Sequence, residues 1–122
     1  MTARGEVLVV DDDATFRVVV VEALKAEGCT VLEATNGREA LRLLRTHQPN
    51  LILTDLAMPT MNGWELCDAL GRSKRLACIP VAVLSGTRGI PPRATRQLHK
   101  PVAIADLVAL VDSVLPEKTL AH

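Results

Sequence analysis

The stretch LILTDLAMPTMNG, residues 51–63, sets an apolar run against a single aspartate, Asp55, and follows it with a turn-forming segment. A short apolar run bounded by turn residues reads as a buried strand. The carboxylate at its end therefore sits where burial has to be offset by a partner or put to use. Working outward, four further runs share the pattern: EVLVV (6–10), TVLEA (30–34), IPVAVL (79–84) and a weaker RQLH (96–99), with NLILT (50–54) as the third of the five strands. Between them lie segments with helical spacing. Phe16, Val19, Val20, Ala23 and Leu24 follow the i, i+3, i+4 rule before Gly28; Leu41 and Leu44 do so before Pro49. Trp64, Cys67 and Leu70 mark a third helix, and Leu107, Val108, Val111 and Leu115 a last one that Pro116 ends. Strands alternating with helices predict an α/β fold, a parallel sheet covered on both faces through right-handed crossovers.

One stretch breaks the alternation. From Ser85 to Lys100 the chain reads SGTRGIPPRATRQLHK, where Gly86, Gly89, Pro91 and Pro92 deny a regular helix its hydrogen bonds and backbone angles. At most a short helical turn fits after Pro92. No acid falls between Asp68 and Asp106, while Arg72, Lys74, Arg75, Arg88, Arg93, Arg96 and Lys100 do. This reads first as a solvated basic face.

Length and composition narrow the function. A chain of 122 residues is the size of one domain, and residues 1–122 are expected to form one, with a core over about 5–115 and a short tail at 116–122. No apolar run approaches the ~18 residues of a membrane span, and the N-terminus MTARGEV lacks a secretory core, so a soluble, cytoplasmic protein is expected. Zero formal charge argues against bulk attraction to nucleic acid. Cys29, Cys67 and Cys78 show no metal-type spacing and read as small core residues. Trp64 also reads as core, and His47 and His99 as surface or partly packed residues without a second histidine at ligand spacing.

In a parallel sheet the residues at the strand ends share one edge, where open α/β folds bind ligands. Asp11, Asp12 and Asp13 end the first run, Asp55 the third, Ser85 the fourth and Lys100 the fifth. Carboxylates gathered this closely either retain a proton or are neutralised by a cation. Oxygen donors without histidine or cysteine favour a hard divalent ion such as Mg²⁺. Asp13 reads as the N-cap of the first helix rather than as a ligand.

The segments VLVVDDD (7–13), LILTDLAMPTMNG (51–63), VAVLSG (81–86) and HKP (99–101), in this order at successive strand ends, resemble the receiver domain of two-component response regulators. The resemblance implies a doubly wound, flavodoxin-like sheet of five parallel strands in the order 2-1-3-4-5. It implies that Asp55 is the phosphoacceptor, attacking a phosphohistidine donor on a histidine kinase or phosphotransfer protein. Asp12 would hold Mg²⁺ directly and Asp11 through water, with Asp55 and the backbone carbonyl of Ala57 completing the protein's share. Lys100 and Ser85 would meet phosphoryl oxygens, Gly86 would leave the group room to enter, and Pro59 and Gly63 match the family's loop spacing. Such a domain is not an enzyme, although it assists its own phosphorylation and dephosphorylation. The family also commonly carries a special, sometimes cis, bond at the position of Lys100–Pro101.

Two positions depart from the family. The segment between Ser85 and Lys100 is short by about two helical turns, so the family's fourth helix is expected to be shortened or lost. Gln97 stands where the family often keeps an aromatic residue coupled to phosphorylation. The reading is thus a stand-alone, monomeric receiver signalling by protein contact to an unknown downstream protein, with no nucleic-acid or membrane partner. Arg88, Arg93 and Arg96 are expected to present an irregular basic surface to an acidic partner. The alternatives are a pseudo-receiver acting as a phosphorylation-independent interaction module, and a haloacid-dehalogenase-type phosphatase, which would carry an aspartate where this chain has Ala57. A flavodoxin is disfavoured because no Ser/Thr/Gly-rich phosphate loop follows the first strand.

Overall fold

The computed structural model describes residues 4–86 and 89–115. Its centre is strand β3 (Leu51–Asp55), every residue of which is buried. On one side lies β1 (Glu6–Val10) with Val7 opposite Leu51, and on the other β4 (Val81–Ser85) with Asp55 opposite Leu84. β2 (Thr30–Ala34) and β5 (Arg96–His99) complete a parallel sheet of order β2-β1-β3-β4-β5, the order the resemblance implied. The third and fourth strands run one and two residues later at their starts than the apolar runs, with Pro80, which has no N–H to donate, lying just ahead of β4.

Alternation of side chains along each strand divides the core in two. Val7, Val9, Leu51, Leu53, Ala82 and Leu84 face helices α1 (Ala14–Ala26) and α4 (Ile104–Val114). Leu8, Val10, Ile52 and Val81 face α2 (Gly37–Leu43) and α3 (Gly63–Gly71). Both faces of the central strands are therefore covered, which is why those strands read as unbroken apolar runs.

The helix ends follow local chemistry. Asp13 caps α1 as expected, its carboxylate accepting from the N–H groups of Thr15 and Phe16. At the other end Gly28, at φ 90°, donates to Lys25 and Cys29 donates to Leu24, closing the helix in a Schellman motif. Asn62 and Glu65 form a reciprocal capping box on α3.

The fourth crossover carries no helix among its described residues, 86 and 89–95. Gly89 takes a positive φ of 81°, and Ala94 donates to the Pro91 carbonyl to close a single turn. Ile90 and Ala94 cover Val83 together with Leu56, so the segment supplies the apolar cover a helix would have given. Arg88 lies outside the described residues.

Three expectations are corrected here. Arg93 is not a free surface charge: its guanidinium donates to the carbonyls of Leu76, Ala77 and Ile79 and ties the crossover to the turn before β4. Trp64 is 46% exposed rather than core, because the face of α3 beside the helix-free crossover is left open. Cys78 is exposed, its thiol meeting the Arg75 carbonyl, whereas Cys29 and Cys67 are buried as expected. His47 is half-buried and His99 exposed.

The start of α3 is pressed against the end of β3. A Cβ added to Gly63 would lie 2.3 Å from the Asp55 carbonyl oxygen and 2.9 Å from Leu56 Cα, both backbone atoms that cannot step aside. At Gly71 the nearest atom would be Arg93 Cδ at 3.8 Å, an ordinary contact. Gly63→Ala should therefore cost about 2–3 kcal/mol in urea melts, whereas Gly71→Ala should be neutral or stabilising by up to about 1 kcal/mol. Equal effects of the two substitutions would contradict this packing.

Candidate functional site

The parallel order brings the C-terminal ends of β1, β3, β4 and β5 to one edge, and with them the residues singled out from the sequence. Carboxylate oxygens of Asp11, Asp12 and Asp55 lie within 4.8 Å of one another. Lys100 Nζ stands 3.0 Å from Asp11 Oδ2 and 3.3 Å from Asp55 Oδ2, bridging the two. Ser85 is buried at the end of β4, and its carbonyl accepts from the Lys100 N–H at 3.3 Å. A Cβ added to Gly86 would meet nothing within 4 Å, so the edge is open beside it. The Lys100–Pro101 peptide bond is cis.

Each carboxylate is held differently. Asp11 is fully buried; its Oδ1 accepts from the Asp13 N–H at 2.9 Å, and its carbonyl accepts from Arg17 Nη1 at 2.6 Å. Asp12 is exposed. Asp55 Oδ1 accepts from the Leu56 N–H at 2.8 Å, which leaves Oδ2 turned to Lys100. The loop beyond is pinned by the Gly63 N–H on the Leu56 carbonyl and by the Gly37 N–H on the Met61 carbonyl, each at 2.9 Å. Within it Thr60 adopts φ 68°, strained for a β-branched residue.

Burial pushes the Asp55 carboxyl above its ordinary range; Lys100 pulls it down, Asp11 raises it, and the Leu56 N–H lowers it. For Lys100 the largest influence is burial, which lowers its pKa, but the hydrogen bond and charge of Asp11, with those of Asp55, outweigh it and the ammonium titrates higher than usual.

The donor set fits a hard divalent cation, being carboxylate oxygens alone with one of them fully buried. Two neighbours were not singled out from the sequence: Arg17, which holds the Asp11 backbone and pairs with Glu33 at 3.0 Å, and Phe16, whose ring centroid lies 4.4 Å from Lys100 Nζ. Their signal was position, since a helix capped at Asp13 places its first turn beside the acidic edge.

Residues 7–112 match the family described as response regulator receiver domain. The chain belongs to that family. It is 36% identical over 124 residues to the two-component response regulator ORR11 of Oryza sativa subsp. indica, covering 93% of this chain and 83% of that one. With ycf27 of Porphyridium aerugineum it shares 32% identity over 116 residues, covering 92% of this receiver chain but only 48% of that relative, about half its length. Among solved structures, the chemotaxis response regulator CheY4 of Vibrio cholerae superposes with a TM-score of 0.82 at 29% identity, covering 94% of this chain and all of that one. Among the described residues no helix is long and apolar enough to cross a membrane.

A carboxyl raised in the folded state favours its neutral form there. Its contribution to stability is therefore present below the ordinary carboxylate pKa and lost as pH rises through the higher folded value. Near neutral pH the ionised Asp55 subtracts stability from the receiver. In EDTA, Asp55→Asn should melt a few degrees above wild type at pH 7, with the gain disappearing as pH falls below about 4. A lower melting temperature for the variant at pH 7 would contradict this electrostatic account.

Proposed function

We propose that this receiver takes a phosphoryl group on Asp55 from a phosphohistidine of a histidine kinase or phosphotransfer protein and passes its state on by protein contact. The observation that carries this reading is the bridging of Asp11 and Asp55 by Lys100 beside Asp12. Three carboxylates and a bridging lysine at one open sheet edge suit phosphoryl transfer, which needs a fixed nucleophile and countercharge for the phosphoryl oxygens.

The Leu56 N–H fixes Asp55 Oδ1, so Oδ2 is the attacking oxygen. Its bond to phosphorus forms as the phosphorus–nitrogen bond breaks, and the electron pair returns to the donor imidazole. Lys100 exchanges its Asp55 contact for a phosphoryl oxygen, Ser85 offers its hydroxyl to another, and the open space beside Gly86 admits the group. Asp11 and Asp12, with Asp55 and the Ala57 carbonyl, would hold Mg²⁺, which when bound neutralises the carboxylates and the equatorial oxygens. The same residues assist hydrolysis of the acyl phosphate, so the domain serves as a self-assisting phosphoacceptor rather than a turnover enzyme. A cytoplasmic setting follows from such a donor.

Intact mass after incubation with acetyl phosphate and Mg²⁺ tests the chemistry. Wild type should gain one phosphoryl mass and Asp55→Asn none. Asp12→Ala should need at least about tenfold more Mg²⁺, since even indirect metal partners are worth that much. An unmodified wild type beside a competent control receiver would leave the phosphorylation-independent module as the better reading.

A further inference from the structure

Lys100 has a third neighbour besides its two carboxylates. The centroid of the Phe16 ring lies 4.4 Å from its Nζ, within the range where the negative face of an aromatic ring attracts a cation. Phe16 is half-buried, packs against the core shared by α1 and α4, and is tied by its N–H to the Asp13 cap at 3.2 Å. The turn that begins α1 at the acidic edge thus also fixes the ring there.

We propose that Phe16 is a positioning residue for Lys100, holding the ammonium at the site while its carboxylate partners are exchanged for a phosphoryl oxygen. This rests on the reading of Asp55 as the phosphoacceptor. A lysine is a compact charge on a flexible four-carbon stem, so its placement depends on what surrounds the head group. Both carboxylates that hold it in this structure are drawn into the reaction: Asp55 Oδ2 becomes bonded to phosphorus, and Asp11 belongs to the set that fits the cation. The Phe16 ring is the neighbour whose chemistry does not change. Leucine keeps an apolar side chain against the core but has no negative face, so an aliphatic residue keeps the packing and loses the hold. Tyrosine retains both.

The test compares Phe16→Leu with Phe16→Tyr. With acetyl phosphate at saturating Mg²⁺, the Leu variant should be modified about three- to tenfold more slowly, and the Tyr variant at nearly the wild-type rate. Mg²⁺ affinity, followed by Trp64 fluorescence, should not move, since no oxygen donor is altered. In a Lys100→Met background Phe16→Leu should add no further loss, because the partner it acts through is gone. Because His99 is common to every variant, the part of the ring-current shift of the Lys100 ε-methylene protons that changes with residue 16 reports the Phe16 ring. That part should be present in wild type and the Tyr variant and absent in the Leu variant. Should Phe16→Leu prove unfolded in melts, Phe16→Met serves in its place.

An unchanged rate for the Leu variant of a wild type that is itself modified would overturn the role of Phe16 alone. Equal slowing with and without Lys100 would do the same by tracing the effect to the core. A wild type that takes up no phosphate would remove the phosphoacceptor reading and this role together, and the ring-current measurement would still show whether the contact exists.

Discussion

One ammonium group holds the working edge of this fold together. Asp11 is fully buried, and a buried carboxylate without a partner is far more costly than a surface one. Lys100 supplies that partner from β5, which lies two strands from β3 and three from β1. At the usual strand spacing those are separations of roughly 10 and 14 Å. A long side chain crossing the end of β4 closes such gaps, and β4 ends in the small Ser85, followed by Gly86, which leave the way clear. The strand order, the small residues and the lysine are thus a single requirement.

That requirement has a cost. Asp55 is held where burial and Asp11 favour its neutral form, and the loop that follows contains Thr60 in a left-handed conformation. Two unfavourable features within six residues mark a segment whose conformation is imposed by its surroundings: the capped start of α3, the Gly63 contact with the β3 backbone, and the Gly37–Met61 hydrogen bond. Such a loop is rigid because its neighbours hold it.

Strands, helix ends and the gathering of the candidate residues at one sheet edge were legible because each rests on local chemistry. Period-2 burial, an aspartate or asparagine cap and a glycine stop can be read one segment at a time, and the strand ends then follow from the parallel direction. Trp64, Cys78 and Arg93 were misread for a common reason. Helical spacing shows that Trp64, Cys67 and Leu70 share a face, but not whether another element covers it. Here the helix-free crossover leaves the outer part uncovered. A run of basic residues gives charge but not direction, and Arg93 turns inward because the turn before β4 presents three carbonyls to it. Phe16 was read only as part of the apolar face of the first helix, and it does pack against the core, while its second contact depends on a residue 84 positions away in the chain, beyond any local pattern.

The same crossover bears on how a change at Asp55 could be felt elsewhere. Gln97 occupies β5 where relatives of this kind commonly carry an aromatic residue, so a ring moving inward there is not available. Leu56 offers a different mechanical link. Its N–H holds Asp55 Oδ1, and its side chain belongs to the small cluster formed by Val83, Ile90 and Ala94 beneath the crossover. A close-packed cluster of this size cannot absorb a shift of one member without moving the others. The crossover is anchored on its far side by Arg93 and by the Thr95 N–H on the Val81 carbonyl at 2.9 Å. Leu56 thus joins the Asp55 carboxylate to the helix-free crossover through one backbone hydrogen bond and one packed side chain.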